Sequence, residues 1–235
     1  MGIQMSIVLQ AENITKKYEK EEVLKGISLE IEENTFTAVL GPSGSGKSTM
    51  LNVISGLMRP TSGIVKCDGK IVSDFSEAKL AEWKRNEVGH VFQNYLLLEN
   101  LTVEENIRIG ISPSKESFSF DRLVKILELD TLLKHFPAQL SGGQQQRTAI
   151  ARAVIKCPKL LFCDEATGAL DEKNSKKVVE LLHTLKRELG VTILFTTHNQ
   201  QIARTADCVI TIKDGRLYKD IVNAQPIAAE EMVWG

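Results

Sequence analysis

The sequence predicts an α/β fold: a mainly parallel core sheet, an antiparallel β subdomain beside it and an inserted α-helical subdomain. Three observations carry this reading. Gly41-Pro42-Ser43-Gly44-Ser45-Gly46-Lys47-Ser48-Thr49 follows the apolar run Phe36–Leu40 and leads into Met50–Ile54, the order strand, glycine-rich turn, helix. Leu160–Cys163 and Val191–Thr197 are further apolar runs without polar alternation, as expected of strands buried on both faces of a sheet. Between the first strands and these two, the stretch from about Asn94 to Ile155 reads as mainly helical.

Taken in order, Ser6–Ala11 and Ile27–Ile31 alternate like half-buried strands on either side of the polar stretch Lys16–Lys20. Two short strands flank Asp68-Gly69, a dipeptide suited to a tight hairpin, so an antiparallel sheet should lie beside the glycine-rich loop. Ala78–Trp83 reads as a helix and Val88–Gln93 as a strand ending in a polar amide. Thr102 and Glu105 form a capping-box pattern, Asp121–Leu127 carries apolar residues at helical spacing, and Ser141 with Gln144 forms a second capping box. A hairpin-like strand with an Asp214-Gly215 turn begins the last segment. After Pro226 the tail becomes acidic, with no purpose legible in its residues.

A chain of 235 residues buries roughly 70–75% of its unfolded surface, enough for a substantial core. With 29 basic and 30 acidic residues the net charge is -1, which gives no electrostatic reason to expect nucleic acid or an anionic membrane as main partner. Cys67, Cys157, Cys163 and Cys208 lie far apart without metal-ligand spacing, and read as reduced thiols. No segment approaches the ~20 consecutive apolar residues of a membrane span. Met1–Ser6 lacks the features of a signal peptide, and its loose match to an N-myristoylation pattern is of a kind that arises by chance. A soluble protein is expected, with any membrane role reached through a partner.

The chemistry concentrates in four places. In the Gly41–Thr49 loop, glycines bring bare N–H groups close to phosphate oxygens, and the following helix adds unpaired amides and its dipole. Lys47 should reach the β- and γ-phosphates and Ser48 should ligate Mg²⁺. Asp164-Glu165, ending an apolar run, could simply cap the next helix; beside a phosphate loop they read better as an Mg²⁺ partner, Asp164, and a base for water, Glu165. Gly142-Gly143 at a helix start offers a second anion site, and His198 stands at the carboxyl end of a strand, where open α/β sheets bind ligands. Tyr18 and Gln93 read, on their own, as a surface aromatic and a solvated strand end.

Phosphate loop, Leu140-Ser141-Gly142-Gly143-Gln144, strand-end Asp164-Glu165 and strand-end His198, in this order, resemble the nucleotide-binding subunit of an ATP-binding cassette (ABC) transporter, over about Val8 to Tyr218. The resemblance implies a phosphate-loop NTPase of the ABC ATPase fold in a single domain, 5–235. Core and antiparallel β subdomain would occupy about 5–93 and 156–222, the helical subdomain about 94–155 and a tail about 223–235. It implies that Tyr18 stacks on adenine, that Gln93 reaches Mg²⁺ and senses the membrane subunit, and that Asp171 belongs to a loop crossing between subunits. Glu165 becomes the general base, His198 the γ-phosphate switch, and Ser141–Gln144 contact the ATP held by a second copy.

A dimer around two ATP with Mg²⁺ follows, driving a separately encoded transmembrane permease from the cytoplasmic side of the membrane. Val88–Tyr95, Leu101–Asn106 and Glu165–Asp171 are most similar to the MacB/LolD-type branch, which implies export or extraction of a peptide, lipid-linked or hydrophobic substrate. Asn34-Thr35 stands where the family pattern has Gly-Glu, but Asn tolerates the left-handed conformation, so that turn should survive. The alternative is a soluble ABC ATPase of DNA repair, translation or cluster assembly, though such relatives usually carry long coiled-coil insertions or two cassettes. A nucleotide-binding scaffold without turnover is a third reading, weakened by the complete set of motifs.

Overall fold

The computed structural model describes residues 6–19 and 21–233; the reading of Met1–Met5 therefore lies outside the described residues. Strands β1 (Ile7–Tyr18) and β2 (Glu21–Glu32) pair antiparallel. The polar stretch does not separate two strands as its composition suggested: β1 runs on through Lys16, Lys17 and Tyr18. Alternation tracks only the buried part of a strand, and this end is a solvated ribbon, with Lys17 opposite Glu22 and their charges 3.6 Å apart. A turn at Asn34, left-handed at φ 62° as expected, leads into β3 (Phe36–Leu40), and the glycine-rich loop then opens α1 (Lys47–Ile54).

Strands β4 (Ser62–Cys67) and β5 (Lys70–Ile71) form the hairpin at Asp68-Gly69, whose φ values of 48° and 73° meet the demand of a two-residue turn. Helix α2 (Glu77–Glu87), capped by Ser76, runs directly into β6 (Val88–Phe92). Three helices follow without an intervening strand: α3 (Val103–Arg108), α4 (Phe120–Ile126) and α5 (Gly142–Val154). Both predicted capping boxes form, at Thr102/Glu105 and Ser141/Gln144. Then come β7 (Leu160–Asp164), α6 (Glu172–Leu189), β8 (Thr192–Thr197), α7 (Gln200–Arg204) and the hairpin β9 (Cys208–Lys213) and β10 (Arg216–Val222).

Two sheets result. One is four-stranded and antiparallel, in the order β2-β1-β4-β5; the other is six-stranded, in the order β10-β9-β3-β8-β7-β6, parallel except for its edge strand β10. Because side chains alternate along a strand, the core strands feed two hydrophobic clusters. Leu161, Cys163, Ile193 and Phe195 face α5 and α6, whereas Leu160, Phe162 and Leu194 face α1 and the antiparallel sheet. Helix α1 is thereby held between the sheets by Met50, Leu51, Val53 and Ile54. The four cysteines are free thiols.

The acidic tail has a structural use that its residues alone did not disclose. It folds back over α6 and α7 through a 3₁₀ turn at Ala229–Glu231, burying Ala229 and Met232 in the core. Ile227 N and Asn223 Nδ2 each donate at 3.0 Å to Arg204 O, the open carbonyl end of α7.

Candidate active site

The carboxyl ends of the parallel strands converge because of strand order and register. β3 lies beside β8, β8 beside β7 and β7 beside β6, which aligns Leu40 with Thr197, Asp164 with Thr196, and Phe92 with Asp164. The residues that follow these strands, Gly41, Gln93, Glu165 and His198, therefore emerge on one edge of the sheet. A cavity of about 460 Å³ opens there, lined by Ser43, Gly44 and Gly46–Thr49 of the glycine-rich loop together with Gln93, Asp164 and Glu165.

Loop geometry follows from its glycines at two positions. Gly46, at φ 101°, ends the loop in a conformation closed to other residues and starts α1. Gly41 passes so close to β9 that a Cβ would stand 2.3 Å from Ile212 O. Lys47 is buried, and its ammonium donates to Gly41 O at 2.9 Å and Pro42 O at 3.0 Å while lying 3.9 Å from Glu165. Its charge thus points into the cavity rather than to solvent.

On the opposite wall a chain of hydrogen bonds joins the two acids to the loop. Ser48 Oγ donates to Asp164 Oδ1 at 2.9 Å, Thr196 Oγ1 donates to the same oxygen at 2.7 Å, and Glu165 N donates to Thr196 Oγ1 at 2.9 Å. Glu165 is held left-handed, at φ 46°, a costly conformation for a non-glycine residue. Thr196, fully buried, escaped the reading of the motifs although it orients both carboxylate residues. The signal was a hydroxyl at the β8 position level with Asp164, visible only once β7 and β8 are known to be neighbours.

His198 is exposed and shares a smaller cavity, about 120 Å³, with Glu165, Gly168 and Thr197. Gln93 reaches toward the same turn, its Nε2 lying 2.9 Å from where a Cβ of Gly168 would sit. Tyr18 does not line the phosphate cavity: it ends β1 rather than lying in a turn, with the residue 42% exposed and its hydroxyl donating to Met58 Sδ.

Ser141, Gly142, Gly143 and Gln144 also lie apart from the phosphate cavity, at the start of α5. There Gly142 lies against its own chain's Tyr95 and Leu170, and Gly143 against Asn174. Asp171 is close by, capping α6 by accepting from Asn174 N at 2.8 Å. Ser141 itself is exposed, Gly142 and Gln144 are part-buried and Gly143 is buried.

The donor set suits a nucleoside triphosphate. A glycine loop with a buried lysine cradles phosphates, and the paired hydroxyl and carboxylate of Ser48 and Asp164 are hard oxygen ligands of the kind Mg²⁺ takes together with phosphate oxygens. Fold and site thus define a nucleotide-binding protein of the phosphate-loop class. A family profile described as ABC transporter matches residues 24–168. The chain belongs to that family.

The chain is 42% identical to the macrolide export ATP-binding/permease protein MacB of Marinobacter nauticus, over 94% of this chain and 36% of that protein. It is 38% identical to the bacitracin export ATP-binding protein BceA of Halalkalibacterium halodurans, over 91% of this chain and 88% of that one. Among solved structures, a dimeric post-hydrolysis state of the ATP-binding cassette MJ0796, bound to ADP and Pi, superposes with a TM-score of 0.82. It is 37% identical, with 92% of this chain and 98% of that one covered. The chain spans between 36% and 48% of the length of several curated relatives, MacB among them. Among the described residues no helix is long and apolar enough to cross a membrane.

Proposed function

We propose that two copies of this chain close around two ATP molecules with Mg²⁺ and so drive a transmembrane permease, in export or extraction of a peptide, lipid-linked or hydrophobic substrate. The observation that carries this reading is the hydrogen-bonded chain Ser48–Asp164–Thr196–Glu165 facing Lys47. Supporting it, the Ser141–Gln144 helix start lies outside its own phosphate cavity with Ser141 exposed, so a second copy is the natural source of a nucleotide for it. MacB and BceA are named for export, and MJ0796 forms a dimer with ADP and Pi, which point the same way.

In this scheme Lys47 and the amides of the Gly41–Thr49 loop bind the β- and γ-phosphates. Mg²⁺, when bound by Ser48, Asp164 and Gln93, supplies neutralisation of the charge on those phosphates. Glu165 accepts the proton of the attacking water, and His198 holds a γ-phosphate oxygen through a ring N–H. Tyr18 stacks on adenine, and Asp171 contacts the second copy. The inserted helices, about 94–155, form a unit distinct from the core and antiparallel β subdomain, and carry Ser141–Gln144. Hydrolysis releases the two copies and shifts the permease between states. The assembly lies at the cytoplasmic face of the membrane.

The test is Glu165→Gln. ATP binding should be retained, phosphate release should nearly stop, and an ATP-dependent dimer should accumulate on size exclusion. Unchanged turnover would remove Glu165 as the base, and a monomer at saturating ATP and Mg²⁺ with the permease supplied would remove the two-copy scheme.

A further inference from the structure

The loop that follows Gln93 is fastened to α5 at two points. Tyr95 and Leu96 are both left-handed, at φ 58° and 49°, although neither is glycine. Such backbone persists only where its surroundings hold it. Arg152, near the end of α5, does the holding: its guanidinium donates to Leu96 O at 2.6 Å and to Tyr95 O at 2.9 Å. A planar fork spans two adjacent carbonyls, which a single ammonium cannot do in the same geometry. From the same turn the Tyr95 side chain extends to the start of α5, where its hydroxyl lies 3.0 Å from where a Cβ of Gly142 would sit.

The surroundings leave this turn little freedom. Asn106, fully buried, pins the far side of the loop by accepting from Leu98 N and donating to Leu98 O and Leu101 O. Helix α3 ends against the backbone of Arg152, where a Cβ on Gly110 would stand 2.0 Å from Arg152 O. To slide Gln93 relative to α5, both Arg152 bonds must break and two left-handed residues must lose their support. Movement of loop and helix together breaks neither.

We infer that Arg152 is a positioning residue that makes the Gln93 loop and the Ser141–Gln144 helix start move as one body, with Tyr95 as the contact at the helix start. The inference rests on the roles given above to Gln93 and Ser141–Gln144. Through Arg152, the mouth of a chain's own phosphate cavity is tied to the helix start that it offers to its partner's nucleotide. Geometry at one site thereby reports on the other.

The test is turnover of the full chain with Arg152→Ala, Arg152→Lys and Gln93→Ala, singly and combined, alongside ATP binding at equilibrium. Gln93→Ala and Arg152→Ala should each lower kcat about 10- to 100-fold, the range that a small misplacement of a reacting group costs, with the Kd for ATP unchanged. In the Gln93→Ala background Arg152→Ala should lower kcat no further, because its effect passes through that loop. Arg152→Lys keeps the charge without the fork, should show the same loss, and serves where the alanine variant does not fold. Losses that multiply in the double variant would overturn the inference and leave Arg152 with a purely structural part. A Gln93→Ala variant with normal kcat would instead overturn the assignment of Gln93, and the inference with it.

Discussion

Replacing Thr196 by valine keeps its shape and removes one hydroxyl, and the structure allows the consequence to be worked out. That hydroxyl donates to Asp164 and accepts from Glu165 N, in a fully buried position. A hydrogen bond to a charged group contributes about 1.5–3 kcal/mol; Asp164 is part-exposed, so the low end applies. The orphaned Glu165 N–H adds about 1–3 kcal/mol. A total near 3 kcal/mol lowers the melting temperature by roughly 6–12 °C for a chain of this size. Freed of its anchor, Glu165 can leave the left-handed conformation, which costs about 1–2 kcal/mol, so the competent arrangement becomes about tenfold rarer. Thr196→Val should therefore lower kcat about tenfold and leave the KM for ATP unchanged, since the Gly41–Thr49 loop keeps its own bonds. Calorimetry and a phosphate-release assay read the two effects. A lower melting temperature with normal kcat would show that this bond does not orient Glu165, and no change in either would refute the energetic reasoning altogether.

Two other consequences concern stability. Burial pushes the imidazoles of His90 and His183 down to about 4, so both are neutral in the folded chain, whereas in the unfolded chain they titrate near 6.5. Below about pH 6.5 the unfolded state takes up protons that the folded state refuses, so this stability is present above that pH and lost as pH falls toward 4, by up to about 1.4 kcal/mol per pH unit for each histidine. Urea titrations of His90→Leu at pH 7, 6 and 5 should show a slope shallower by one proton; a slope identical to that of the parent would contradict the burial argument. Gly110→Ala should cost at least about 1–3 kcal/mol, because its Cβ meets backbone at 2.0 Å and not a flexible side chain. An unchanged urea midpoint would mean that α3 can part from α5 freely.

What the amino-acid order determined by itself is whatever depends on neighbours along the chain. The phosphate loop needs glycine, lysine and serine in succession, a capping box needs Ser141 and Gln144 three apart, and the turn at Asn34 needs only a residue tolerant of φ 62°. The apolar runs announced the strands for the same reason, and failed at Lys16–Tyr18 because a solvated strand carries no alternation. Tertiary structure alone decided which strand ends meet. Thr196 bridges Asp164 and Glu165 because β7 and β8 are adjacent and in register, Arg152 grips Tyr95 and Leu96 across more than fifty residues, and the tail finds α7 by its free carbonyls. Contacts of that kind are made between groups distant in sequence, and their geometry exists only after the sheets have packed around α1.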